Sequence, residues 1–198
     1  ENTPENVQII IDETKRLTNL VNDMLDLSKL QAGVQELHAV SMNLTDEIRS
    51  IIERYETLLK QDEYDIRFEY REDVIIQGDV IKLDQVIYNL INNAINYSGE
   101  DHQVIVKQLL EQGRVRIEII DHGPGIEKDK LAYIWERYYK VDKTHVRSRV
   151  GSGLGLSIVK AVLELHKAEY GVLSEEGVGS TFWFSLPYSK SQNAEIRK

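Results

Sequence analysis

Apolar residues recur at helical spacing in four stretches of the chain. Across residues 4–33, Ile10, Leu17 and Met24 return every seven positions, and Leu20, Val21, Leu27 and Leu30 widen the stripe. Thr3 and Pro4 suit an N-cap and first turn, and Gly33 suits a stop. A helix with such a stripe needs neighbours to cover it, so this segment is expected to join a bundle or form half of a dimer interface. A second amphipathic helix, about 45–60, gathers Ile48, Ile51, Ile52, Tyr55, Leu58 and Leu59; a third spans about 80–97 and a fourth about 154–166. Alternation of period two marks strands near 65–71, 104–110 and 115–120, the last two joined by a Gln112–Gly113 turn. A short apolar run at 74–76 adds a strand, and two more close near Pro187. Helices and strands alternate too irregularly for a doubly wound sheet, and the strand pairs look like hairpins. The expected fold is therefore α+β, a two-layer α/β sandwich whose mixed sheet is covered by helices on one face, behind one long N-terminal helix. Residues 189–198 read as a disordered tail.

Composition narrows the function classes. The 198 residues carry a net charge of −9, which argues against nucleic acid as a partner. There is no cysteine, so thiolate metal sites and disulfides are excluded, in keeping with a reducing compartment. No apolar run approaches the roughly 18 residues of a membrane span, and the first residues lack a signal-peptide pattern. Any membrane anchor is expected elsewhere in a longer protein. Against the acidic background, Arg137, Lys140, Lys143, Arg147 and Arg149 form one basic stretch opposed only by Asp142.

Four segments carry candidate chemistry. On the third helix, Leu83, Val86, Ile87, Leu90 and Ala94 share one face, while Gln85, Asn89, Asn93 and Asn96 share the opposite one. Amide oxygens can hold Mg²⁺ weakly where phosphates supply the negative charge; they can equally solvate an exposed face. The strand at 116–120 ends in Asp121, followed by a turn containing Gly123 and Gly125. Its carboxylate suits an exocyclic amine such as that of adenine, or a turn cap. Gly151, Gly153 and Gly155 precede a helix, an arrangement that favours phosphate but is neither the dinucleotide fingerprint nor a P-loop. In the closing strand pair Gly177 and Gly179 make the turn, and Thr181 offers a hydroxyl.

Taken together and in this order, these segments resemble the motifs of bacterial two-component sensor histidine kinases. The asparagine-rich helix, residues 85–98, resembles their asparagine box. Asp121 to Gly125, Gly151 to Gly155 and Gly177 to Thr181 resemble their three glycine boxes, and residues 134–142 their aromatic box. Residues 25–33 resemble the end of the second helix of their dimerisation domain. The resemblance implies the Bergerat-type ATP-binding fold shared with gyrase and mismatch-repair ATPases. It divides the chain into 1–33, the second dimerisation helix; 34–188, the catalytic ATP-binding domain; and 189–198, the tail. By resemblance, Asp121 binds the adenine amine, Tyr97 packs on the ring, and Asn93, helped by Asn89, holds Mg²⁺. Asn96, Gly123, Gly125, Ile126, Tyr138, Gly151, Gly153, Leu154, Gly155, Leu156 and Thr181 complete the ATP site. Residues 122–150 form a lid that brings Lys140 and Arg137 to the phosphates.

The implied activity is ATP- and Mg²⁺-dependent phosphorylation of a histidine, for relay to the Asp of a response regulator. The implied partners are that receiver domain and a second copy of the protein, joined through the N-terminal helix. The implied place is a cytoplasmic domain of a membrane-anchored protein. Two departures stand out: Asn96 replaces the family's usual Lys, and His166, Lys167 and Ala168 replace its His-Gly-Gly. None of His38, His102, His122, His145 and His166 has the acceptor's context, an acidic neighbour followed by Arg and Pro, so the acceptor is expected on a helix missing from this sequence. An ATPase or serine kinase of the same superfamily is the nearer rival, disfavoured by the long first helix and by Asn89, which stands where such ATPases carry a Glu. A module that binds nucleotide without transferring phosphate is the other.

Overall fold

The structure, a computed structural model, describes residues 4–32, 36–58, 64–139 and 153–190. Thr3, Gly33, Leu59, Lys140, Gly151 and the tail from residue 191 lie outside it, as do the side chains of Ile10 and Leu58.

The long helix α1 spans Pro4–Gln31. Its Leu27 is buried and Leu30 packs on the core, whereas Val7, Ile11, Leu17, Val21, Met24 and Leu25 are exposed. The apolar stripe thus splits, its C-terminal end covered by the chain itself and the remainder open. Among the described residues no helix is long and apolar enough to cross a membrane.

After a short strand β1 (Val40–Asn43), helix α2 (Leu44–Leu58) starts where the Asn43 side-chain oxygen accepts from the Asp46 N–H, with Asp46 and Glu47 in the first turn. Strands β2 (Asp65–Glu69) and β3 (Val74–Gly78) lead into α3 (Val80–Tyr97). Asp79 caps α3: its carboxylate accepts from the Lys82 N–H and also from the His38 N–H. The hairpin β4 (Gln103–Glu111) and β5 (Arg114–Asp121) turns at Gln112 and Gly113, both with positive φ, as a two-residue hairpin turn requires. Helix α4 (Gly155–Leu165) and the hairpin β6 (Glu169–Glu175) and β7 (Gly179–Lys190) complete the chain.

The seven strands form one mixed sheet in the order β1-β3-β7-β5-β4-β2, with β6 also paired to β7. The inward positions Val104, Val106, Val115, Ile117, Ile119, Phe182 and Phe184 are buried against the helices. The other face is open and carries its own polar cover: Arg116 lies 4.0 Å above the Trp183 ring and pairs with Glu118. This is the expected two-layer arrangement.

Three details differ from the sequence reading. Strand β1 was not expected; it is four residues long and sits at the sheet edge on β3, too short for alternation to reveal. Strands β2 and β3 do not form a hairpin. β2 runs parallel to β4 at one edge, while β3 pairs with β1 and β7 towards the other. β7 also extends past 188: Ser189 and Lys190 pair with Ile75 and Val74, so these two residues are strand rather than tail.

One buried polar network ties the layers together. Gln108 points inward, accepts from the Thr45 hydroxyl (2.9 Å) and donates to the Glu72 carbonyl (2.8 Å). The Thr45 hydroxyl in turn accepts from the Val74 N–H (3.0 Å). Every partner is satisfied, so this network fixes α2 on the sheet without an orphaned group.

Candidate nucleotide-binding site

Three pieces of backbone meet at the ends of α3 and β5. Leu83, Val86, Ile87, Leu90, Ile91 and Ala94 bury one side of α3. Gln85, Asn89, Asn93, Asn96 and Tyr97 are left half-exposed, as expected from their spacing. Gly155 opens α4 beside them: a Cβ there would stand 3.6 Å from Asn89 Oδ1. Among the described residues no side chain caps the start of α4, an arrangement that suits an anion at its first turn.

Asp121 ends β5 pointing inward and is 2% exposed. Burial pushes its carboxyl up to about 6, against backbone hydrogen bonds from Gly123 and Ser180 that pull it down. The Gly123 N–H donates to Oδ1 at 2.9 Å. Among the described residues the Gly123 and Ser180 N–H groups are the donors to this buried carboxylate, which leaves it accepting capacity for a ligand N–H.

The turn after Asp121 is held from two sides. A Cβ on Gly123 would fall 1.7 Å from the Tyr97 carbonyl oxygen, so the end of α3 and this turn touch backbone to backbone. Gly125, at φ +70°, lies against the Glu175 carbonyl, and the Gly177 N–H donates to the Pro124 carbonyl at 2.7 Å. His122 is exposed and pairs with Asp101 at 2.6 Å, joining the turn to the loop after α3; this pairing holds the Asp101 carboxyl below its usual range. His166 behaves as a structural residue. Its Nδ1 donates to the Val162 carbonyl and its Nε2 accepts from the Asp79 N–H, which fixes a neutral ring, and burial lowers its pKa.

The expected site residues are distributed as follows. Asn89, Asn93, Asn96, Tyr97, Asp121, Gly123, Gly125 and Ile126 stand along α3 and the adjoining turn, and Gly153, Leu154, Gly155 and Leu156 at the start of α4. Leu154 is fully buried and supports the loop from below. Tyr138, at φ 60°, donates its N–H to the Gly153 carbonyl at 2.9 Å. Arg137 lines a cleft of about 420 Å³ with Leu30, Trp135 and Lys160, between α1 and α4. Lys140 and Gly151 lie outside the described residues.

Thr181 requires correction. It pairs with Ile120, and partners across a ladder share a face, so its side chain lies on the side of the sheet opposite to Asp121. Ser180 pairs with Asp121 and is buried on the site's side. Sequence reasoning missed it, although the parity of the strand, counted from Phe182 and Phe184 inward, carried the signal. Ser174, discussed below, had no sequence signal at all.

A buried carboxylate beneath a glycine turn, an amide-lined helix and the start of a second helix together suit a base joined to phosphates. Comparison with known proteins gives the family. Residues 78–190 match the family of histidine kinase-, DNA gyrase B- and HSP90-like ATPases, and residues 1–33 match the His Kinase A (phospho-acceptor) domain. The chain therefore belongs to the histidine kinase-, DNA gyrase B- and HSP90-like ATPase family, on its sensor histidine kinase branch. The sensor protein kinase WalK of Staphylococcus aureus is 35% identical over 189 residues, 94% of this chain and 45% of that protein. The chain thus spans less than half the length of this curated relative. Full-length ShkA in complex with AMPPNP superposes with a TM-score of 0.79 at 28% identity, over 96% of this chain and 40% of that one. ThkA in complex with the response regulator protein TrrA gives 0.75 at 25% identity, over 96% and 53%.

Proposed function

We propose that this chain is the ATP- and Mg²⁺-dependent kinase core of a two-component system. It transfers the γ-phosphoryl of ATP to a histidine on an acceptor helix upstream of α1, from which the Asp of a response regulator receives it. The observation that carries this reading is the Asp121 carboxylate, buried with backbone donors among the described residues and set beside the amide face of α3. Its free acceptor capacity matches the exocyclic amine of adenine, and Tyr97 borders the base. From there the triphosphate runs along Asn89, Asn93 and Asn96 to the first turn of α4, whose N–H groups and dipole favour negative charge. Lys140 and the basic residues that follow it would supply further positive charge at the phosphate end.

The amides of Asn89 and Asn93 fit Mg²⁺ as a companion of the nucleotide. Among the described residues no cluster of His, Asp or Glu could hold a metal alone. Neutral amide oxygens suit a cation whose charge is balanced by phosphate. Mg²⁺ would neutralise charge on the transferred phosphoryl group. Asn89 also cannot act as a base, so water near the phosphates is not activated, and the protein's own contribution is orientation and charge. Replacing Asn93 by Ala is expected to leave ATP binding with little Mg²⁺ dependence, as judged by titration in Mg²⁺ and in EDTA. An unchanged Mg²⁺ dependence would remove Asn93 from the metal site.

We further propose that residues 1–33 belong to the dimerisation domain and residues 34–190 to the catalytic domain. The exposed row Val7, Ile11, Leu17, Val21, Met24 and Leu25 would pack in a bundle with the acceptor helix and a second copy. On this reading the domain works in the cytoplasm and the longer protein is anchored in the membrane. The decisive experiment supplies a fragment bearing the family's acceptor helix, together with labelled ATP. Acid-labile label is expected on the fragment's histidine and none on His38, His102, His122, His145 or His166 of this chain. No transfer, with ATP still bound, would leave a nucleotide-binding module without kinase activity.

A further inference from the structure

Ser174 sits on β6, outside every recognisable motif, yet its hydroxyl lies at the junction of three segments. It accepts from the Ile126 N–H at 2.9 Å, donates to the Gly179 carbonyl at 2.8 Å and lies 3.0 Å from the Ser180 hydroxyl. Ser180 is the ladder partner of Asp121, and its N–H bonds that carboxylate. Ile126 ends the turn that begins at Asp121 and contains Gly123 and Gly125. One hydroxyl therefore links the far end of that turn to the strand partner of the carboxylate.

We infer that Ser174 is a positioning residue for base recognition, setting the gap between the Gly123–Ile126 backbone and the Asp121 carboxylate through the Ile126 N–H and the β6–β7 turn. This rests on the assignment of the site to adenine. Other ties between the turn and this hairpin, Gly177 N–H to Pro124, the packing of Gly125 on Glu175 and that of Gly179 on the Asp121 carbonyl, involve backbone alone and survive substitution of Ser174. Loss of the hydroxyl frees the Ile126 end while Pro124 stays held, so the turn can tilt relative to Asp121. A flat ring placed between them is sensitive to such a tilt, since hydrogen bonds weaken steeply with angle. The phosphates, bound by α3 and α4, are not.

The test is a calorimetric titration of Ser174→Ala with ATP, adenosine and tripolyphosphate, beside wild type and Asp121→Ala. The loss of about one to two hydrogen bonds' worth of positioning predicts roughly five- to twentyfold weaker binding of ATP and adenosine alike, with tripolyphosphate unchanged. Hydrogen exchange is expected to show faster exchange at the Ile126 amide and no change at Gly177. Should Ser174→Ala not fold, Ser174→Cys keeps the volume, weakens both hydrogen bonds and carries the same test. Wild-type affinity for adenosine in the folded variant, or an equal loss for tripolyphosphate, overturns the inference. If Asp121→Ala also binds adenosine like wild type, the adenine assignment itself is wrong; if only Ser174→Ala does, the positioning role alone is lost.

Discussion

Asp121→Asn is expected to abolish ATP binding and, at the same pH 7, to make the empty protein more stable. Both effects have one cause. In the folded chain burial holds the Asp121 carboxyl at about 6, whereas the ordinary value is 3.8. Below about pH 4 the group is protonated in folded and unfolded chains alike and contributes no difference. Between about 4 and 6 the unfolded chain gives up this proton first, so stability falls as pH rises; above about 6 the full cost is present. A neutral amide removes that cost. At about 1.4 kcal/mol per pKa unit the ceiling is roughly 3 kcal/mol. The amide recovers less, because its single oxygen must serve the backbone donors, the Gly123 N–H among them, that the carboxylate meets with two. A gain of about 1–2 kcal/mol, or roughly 2–8 °C, is expected at pH 7 and should vanish near pH 4. The same shortage of acceptor oxygen spoils nucleotide binding. Turn the amide either way, and one N–H meets either the backbone or the adenine amine. Losing a charge-assisted hydrogen bond and stranding a donor costs about 2–4 kcal/mol, thirtyfold or more in affinity. Thermal melts from pH 4 to 8 and an adenosine titration at pH 7 check the two halves. A variant less stable than wild type at pH 7 would show that the buried charge is compensated.

Gly123→Ala should be the most damaging small substitution at the site. The added methyl would lie 1.7 Å from the Tyr97 carbonyl oxygen and 2.9 Å from Asp121 Oδ1. Neither neighbour yields easily: the first is backbone at the end of α3, the second a buried carboxylate already bonded to this residue's N–H. Overpacking of this kind costs about 1–3 kcal/mol or more, so a clear fall in melting temperature accompanies the loss of nucleotide binding. Gly113→Ala, a control with open space around the added atom but φ +80°, should lower stability modestly and leave nucleotide affinity intact. If Gly123→Ala binds ATP at wild-type strength, the turn and α3 do not need their close approach.

The sequence reveals elements wherever a local signal decides the conformation. Helix α3 runs over the expected span because Asp79 supplies a cap and the apolar face repeats without interruption. The β4–β5 hairpin was legible because Gln112 and Gly113 can both take positive φ. What escaped is set by partners distant in the chain. The neighbourhood of β2 and β3 looked like a hairpin because they are adjacent in the chain, while their separation is decided by β4 and β7. Thr181 was chosen over Ser180 because a motif names residues but not the face they occupy. The strand's own parity puts Ser180 on the inward face with Phe182 and Phe184, but only its pairing with Asp121, nearly sixty residues earlier, brings it to the site. Ser174 was invisible for the same reason: a serine in a strand means little until the turn at Ile126 is laid against it.

The position of β7 bears on how the protein comes into being. It is the last strand among the described residues, yet β5 pairs along one side of it, and β6 and then β3 along the other. Among the described residues the ladder of β1 and β3 joins the sheet through residues 188–190 of β7. During synthesis, at about 5–20 residues per second, β1, α2 and β3 therefore wait several seconds with an unfilled edge while more than a hundred residues are added. The β4–β5 hairpin can close early, but the sheet as a whole cannot. A nascent chain stalled before β7 should thus be open to proteases and chaperones along β1, α2 and β3, and addition of β7 should make these segments resistant in a single step.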